Sequence, residues 1–178
     1  MNSPRAFIAL GANLPWQGRP PAVTLTRALA ALEADGIGFI ARSSLWETQA
    51  WPPSDQPAYC NAVAEIARHG LAPEPLYARL RAVEAAFGRE RRTRWDARTL
   101  DLDVVAIDGF VGQFGDIRLP HPRLQERAFV LAPLAEVAPD WRHPILGTTP
   151  PELLAALGPA QGYRRLDAGW PSEPGQAP

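Results

Sequence analysis

The sequence predicts an α+β fold, an antiparallel sheet with helices packed over it, and three observations carry that reading. Short apolar runs and amphipathic stretches follow one another as strand, helix, strand, strand, helix, strand. The two clearest helices each show one apolar stripe and end at glycine. A chain of 178 residues with one cysteine must hold itself together through an apolar core, because no internal disulfide can form.

"RAFIAL" (5–10) is a short strand stopped by "GANLP". Pro20 and Pro21 open the first helix, Leu25, Ala28, Leu29 and Leu32 form its stripe, and Gly36 ends it. Residues 37–48 read as a strand, 49–57 as a turn-rich loop and 58–67 as a strand returning beside its predecessor. The second helix shows Leu76, Leu80, Val83 and Phe87 at helical spacing and stops at Gly88. Residues 89–97 have no apolar period and form a loop, and "LDLDVVAI" is a strand turned by "DG" at 108–109. "ERAFVLAPLAEVAP" is helical, with Pro133 marking a break or kink, and "PPELLAALG" is a short extra helix. "YRRL" is a final edge strand. One α+β domain over 1–167 followed by a disordered tail over 168–178 is expected.

Composition excludes several classes of function. The basic residues are all arginine, so a Walker A lysine, a Schiff-base lysine and a Ser–Lys dyad are ruled out. A net charge of −1 provides no whole-protein field for nucleic acid or membrane. No stretch approaches 18 apolar residues, so a soluble cytoplasmic protein is expected, and a monomer because one compact domain of this size needs no partner to fold. Cys60 reads as a small buried apolar residue.

The chemistry centres on Asp101 and Asp103. A helix would set them about 200° apart. A strand puts both on one face, with α-carbons roughly 6.6 Å apart, while Leu100 and Leu102 point into a core. Carboxylates that close repel unless a cation lies between them, and hard oxygen ligands beside phosphates suit Mg²⁺. A bare D-x-D at a strand entrance is as often a pair facing solvent. Just upstream, Arg89, Arg91, Arg92, Arg94 and Arg98 are interleaved with Trp95. Guanidinium forks bind phosphate oxygens bidentately, and the indole gives a flat face; a solvated basic loop or a small nucleic-acid patch fits the same residues. Tyr59 and Asn61 share a strand face, where a ring can stack on a flat heterocycle and an amide can read its edge. Phe129 is a candidate second ring, and core packing is the alternative for both aromatics. His121 is either a surface residue or a phosphate contact.

Together, "GANL" (11–14), "ET" (47–48), "DQPAYCNAV" (55–63), "GRERRTRWDARTLDLDVV" (88–105) and "LPHPRLQERAFVLAPLAEVAP" (119–139) resemble the 6-hydroxymethyl-7,8-dihydropterin pyrophosphokinase family of folate biosynthesis. The resemblance implies a ferredoxin-like α+β sandwich with extra C-terminal helices. It implies ATP as co-substrate, 6-hydroxymethyl-7,8-dihydropterin as acceptor, and transfer of the β- and γ-phosphates together to the hydroxymethyl oxygen, leaving AMP. By the same resemblance Asp101 and Asp103 hold two Mg²⁺ ions. Arg89, Arg91, Arg94, Arg98, His121 and Arg127 line the ATP phosphates, Arg81 and Glu84 lie near the nucleotide, and Trp95 belongs to a closing loop. Tyr59 and Phe129 sandwich the pterin, whose edge meets Asn61 and the backbone around Thr48. The competing expectations are another Mg-dependent nucleotidyl- or phosphotransferase on this fold, and a small nucleic-acid-binding domain.

Overall fold

The computed structural model describes residues 4–49, 55–67, 70–88, 97–158 and 162–172. Its central strand is β1 (Ala6–Ala12), which pairs antiparallel with β4 (Tyr59–Ile66) on one side and β5 (Asp101–Ile107) on the other. Beyond β4 lie two short strands, β2 (Phe39–Arg42) and β3 (Trp46–Thr48), and β3 pairs in turn with β8 (Tyr163–Arg165). The sheet order β5-β1-β4-β3-β8 leaves β5 at an edge. The expected single strand over 37–48 is therefore two. Ser43 interrupts it: its N–H donates to Val63 O and its hydroxyl accepts from Val63 N, so the chain steps between two stretches of pairing along β4. A hairpin of β6 (Gly112–Phe114) and β7 (Ile117–Leu119) adds a small second sheet that the sequence reading left unassigned.

Helices lie on both faces. α1 (Pro21–Ala34) and α2 (Pro73–Ala86) begin with proline, whose missing N–H costs nothing in the first turn. Their predicted stripes, from Leu25 through Leu32 and from Leu76 through Phe87, are buried against Ile8, Leu10, Ala62, Ala64 and Leu102. α3 (Ala128–Val137) and α4 (Pro150–Leu157) cover the opposite face, where Leu131 and Leu134 pack with Phe7, Val63 and Val105. Pro133 sits inside α3 without ending it. α4 starts with a capping box, Thr149 and Glu152 each bonding the other's backbone N–H. One face is covered as expected, and the extra C-terminal helices account for the second.

The period-two alternation places Phe7, Ala9 and Gly11 of β1 on the same face as Asp103 and Asp101 of β5 and Val63 and Asn61 of β4. At one end of that face Phe7 and Val63 are sealed under α3 and α4. At the other, the alternation leaves the two aspartates partly exposed while Leu102 between them is fully buried.

Residues 168–172, part of the tail expected to be disordered, fold back on the protein, and the rest of that tail lies outside the described residues. Trp170 Nε1 donates to Ser43 O at 2.8 Å, its ring lies 5.1 Å from the Arg42 guanidinium, and Thr26 Oγ1 donates to Pro171 O at 3.4 Å. An indole can cover apolar surface and still satisfy its single donor, which is why one aromatic residue suffices to tie down a proline- and glycine-rich tail. Trp170→Ala should cost about 2 kcal/mol in chemical denaturation, from lost packing and one hydrogen bond. A midpoint equal to that of the parent protein would mean that the docking carries no stability.

Candidate active site

The open end of the sheet is bounded by four backbone segments, and Asn13 ties three of them together. Asn13 is 2% exposed. Its Oδ1 accepts from Arg98 N at 2.7 Å, and its own N–H and that of Leu14 both donate to Arg98 O at 3.0 Å. Its Nδ2 donates to Gln56 Oε1 and Pro57 O, each at 3.2 Å. The stretch entering β5 and the stretch entering β4 are thus fastened to the end of β1 through one buried amide. Thr99 Oγ1 adds a bond to Phe87 O at 2.8 Å, joining the same stretch to the end of α2.

On this frame the basic and acidic side chains alternate. Arg98 Nη1 meets Asp101 Oδ2 at 2.5 Å. Asp103 lies 3.5 Å from Arg81 Nη2 and 3.8 Å from Arg127 Nη1. Burial works against the charge on Arg98, but the adjacent Asp101 carboxylate outweighs it, so the guanidinium's pKa rises. Burial dominates at Arg127 and lowers its pKa, opposed in part by Asp103. Arginine titrates so far above neutrality that both stay cationic. These cations are fixed in place beside two carboxylates, as a polyanion bound through a metal would require.

His121 is held in the neutral form. Burial, then the charges of Arg127 and Arg123, push its pKa from the ordinary 6.5 down to about 4. Its Nδ1 accepts from Arg123 N at 3.2 Å, so the single proton of the neutral ring belongs on Nε2. That N–H lies 3.3 Å from Arg127 Nη1, and two donors cannot bond each other. An anionic oxygen set against both satisfies the pair. For stability the sign follows directly: the unfolded chain takes up a proton near pH 6.5 and the folded one only near pH 4. Stability is full above pH 6.5 and declines as the pH falls toward 4, by roughly 3 kcal/mol at the limit. His121→Asn should flatten that decline in denaturation curves recorded across this range. An unchanged slope would place the acid sensitivity elsewhere, His143 being another histidine whose pKa burial lowers.

The flat-ring side of the site is built from β3 and β4. Asn61 and Thr48 are buried, and Asn61 Nδ2 donates to Thr48 Oγ1 at 2.8 Å. Opposite Asn61 in register is Gly11, where any Cβ would stand 3.0 Å from Asn61 Oδ1, so glycine makes room for the amide. Tyr59 and Phe129 are both partly exposed, and the Phe129 ring also takes the Arg127 guanidinium at 5.6 Å. Cys60 points to the other face, where burial pushes its thiol up to about 12.

Of the predicted residues, Asp103 meets Arg81 and Arg127, Arg127 meets His121, Arg81 meets Glu84, and the Arg98–Asp101 pair lies beside them at the start of β5, while Thr48 and Asn61 form a second group on the adjoining strands. Arg89, Arg91, Arg94 and Trp95 lie outside the described residues. Glu84 is set apart from the rest: it is 2% exposed and turned inward. Asn13 and Gly11 belong to the site although sequence reasoning gave neither a role. Their signal was present in "GANL", a glycine and an amide at the mouth of an apolar strand. Among the described residues no group of three His, Cys, Asp or Glu side chains forms a metal cage. Two carboxylates fit Mg²⁺, which completes its shell with water and substrate phosphates.

The family described as 7,8-dihydro-6-hydroxymethylpterin-pyrophosphokinase (HPPK) matches residues 7–139. The 2-amino-4-hydroxy-6-hydroxymethyldihydropteridine pyrophosphokinase of Pseudomonas aeruginosa is 40% identical over 163 residues, 91% of this chain and 96% of the relative. The protein of the same name from Methylorubrum extorquens is 41% identical over 166 residues, 92% of this chain and 99% of the relative. Among solved structures, Plasmodium falciparum HPPK-DHPS superposes with a TM-score of 0.66 at 13% identity, over 87% of this chain and 43% of that one. The chain thus spans less than half of that structure, and the likeness is one of fold: ferredoxin-like α+β.

Proposed function

Since the chain belongs to the 7,8-dihydro-6-hydroxymethylpterin-pyrophosphokinase family, we propose that it transfers pyrophosphate from ATP to 6-hydroxymethyl-7,8-dihydropterin in folate biosynthesis. The hydroxymethyl oxygen loses its proton to water and forms a bond to the β-phosphorus, the bond between that phosphorus and the α,β-bridging oxygen breaks, and AMP leaves with the electron pair. The observation that carries this reading is the carboxylate pair of Asp101 and Asp103 set among Arg98, Arg81 and Arg127 at the open end of the sheet.

In such a transfer the protein's work is alignment and charge neutralisation. Arg98, Arg127 and the Nε2–H of His121 donate to phosphate oxygens, and because their partners hold them in place beforehand, little reorganisation accompanies the reaction. Asp101 and Asp103 would hold two Mg²⁺ ions, which supply neutralisation of the phosphates and acidify the pterin hydroxyl. With one amide hydrogen given to Thr48, Asn61 keeps its carbonyl oxygen and a second N–H for the pterin edge. Tyr59 and Phe129 offer the stacking rings. Arg89, Arg91 and Arg94 add cations to the phosphate side, and Trp95 belongs with them.

No helix among the described residues is long and apolar enough to cross a membrane. We place the enzyme in the cytoplasm as a monomer with small-molecule substrates, since a net charge of −1 offers nucleic acid no attractive field. ATP labelled at the β-phosphorus tests the reaction: the label should move to the pterin. Label retained in ADP, with only the γ-phosphate moved, would contradict pyrophosphoryl transfer.

A further inference from the structure

β5 carries both aspartates, yet it lies at the edge of the main sheet, with β1 on one side only. An edge strand is free to shift or fray unless something covers its unpaired backbone groups. Here α2 supplies the cover. Glu84 Oε1 accepts from Leu102 N at 2.6 Å, and Arg81 Nη2 donates to Leu102 O. The two side chains are themselves paired, Arg81 Nη1 to Glu84 Oε2 at 2.6 Å across one helical turn. Arg81 is further held by the Tyr77 ring, 4.8 Å from its guanidinium carbon. A carboxylate and a guanidinium thus bond the N–H and C=O of the residue between Asp101 and Asp103, as a neighbouring strand would.

We propose that Arg81 and Glu84 are a positioning pair for the metal-binding carboxylates. They replace the missing strand beside Leu102 and so fix the spacing of Asp101 and Asp103. Arg81 also balances Asp103 from 3.5 Å. Glu84 then acts through Leu102 and Arg81 and touches no substrate; at 2% exposure, with both oxygens turned to protein donors, it faces away from the nucleotide. This inference rests on the metal-binding reading of the aspartates and deepens it.

Residue-resolved amide exchange on the full chain tests the brace, and Mn²⁺ binding in the presence of a non-hydrolysable ATP analogue tests its consequence. In the wild type the Leu102 amide should exchange as slowly as the amides paired between β1 and β4. Glu84→Ala should speed it by about ten- to a hundredfold, the worth of one charge-assisted hydrogen bond, with β1 and β4 amides unchanged. The same variant should weaken Mn²⁺ binding by about tenfold. Glu84→Gln keeps one oxygen for the Leu102 N–H but turns an NH2 toward Arg81 Nη1, so it should lose less than the alanine variant in both readouts. A wild-type Leu102 amide that exchanges like an uncovered edge amide overturns the brace, whether or not the alanine variant folds. So does a glutamine variant as impaired as the alanine one. Asp103→Asn separates the two levels of the argument: wild-type Mn²⁺ affinity in that variant would remove the metal reading itself, whereas its loss alongside unaffected Glu84 variants would remove the brace alone.

Discussion

Asp101→Asn and Asp103→Asn should each lower turnover by about three orders of magnitude while moving the melting temperature by less than about 8 °C. The two effects separate because of where the carboxylates sit. Both are partly exposed, and the strand that carries them is anchored by Leu102 and Leu100, each fully buried. Replacing an oxygen by an amide nitrogen keeps the shape, so the strand stays in register. It leaves Arg98 or Arg127 without a close anion, which costs about 1–2 kcal/mol. What disappears is the hard, charged oxygen that Mg²⁺ needs. Steady-state rates and thermal melts on the two variants decide it. Turnover near that of the parent protein in either variant would exclude the carboxylate pair as the metal site.

Arg98→Ala should reduce kcat by about 10²- to 10³-fold, the usual effect of removing one preorganised donor to the charge that develops in a transition state. Asn13 makes this residue special, because it clamps both the N–H and the C=O of Arg98. The guanidinium is therefore presented from a fixed backbone, and truncating the side chain leaves that backbone in place. Arg98→Lys should recover only part of the loss, since an ammonium brings the charge without the planar fork. A normal rate, or a loss confined to pterin binding, would take Arg98 out of the phosphate cradle.

The parts of the fold that follow from one-dimensional periodicity were legible. Leu25, Leu29 and Leu32, like Leu76, Leu80 and Phe87, repeat on one helical face and are buried as that repeat requires. Asp101 and Asp103 alternate with leucines, and alternation has only one meaning in a strand. Features set by single residues were harder to read. Ser43 splits a β-rich run because its hydroxyl takes a backbone partner, and nothing in the pattern of 37–48 marks that choice. β6 and β7 are three residues each, too short to show a period. Trp170 reads from sequence as part of a disordered tail because its docking depends on the carbonyl of a residue far away in sequence.

The site followed the same division. Residue types that announce their chemistry could be singled out from sequence, and Arg98, Asp101, Asp103, His121 and Arg127 do gather at one end of the sheet, whereas Arg89, Arg91 and Arg94 lie outside the described residues. Asn13 and Gly11 act through buried geometry, an amide with three backbone segments to satisfy and a missing Cβ beside Asn61. The resemblance places Glu84 near the nucleotide, and spacing on a helix does not say whether a carboxylate faces ligand or strand; in the structure both its oxygens meet protein donors.

The central claim is pyrophosphoryl transfer, and the most direct measurement is AMP released on mixing the protein with ATP, Mg²⁺ and 6-hydroxymethyl-7,8-dihydropterin, against a control without the pterin. The account predicts AMP that depends on the pterin and matches the pterin diphosphate formed, mole for mole. ADP as the nucleotide product, or AMP formed equally without the pterin, would contradict it.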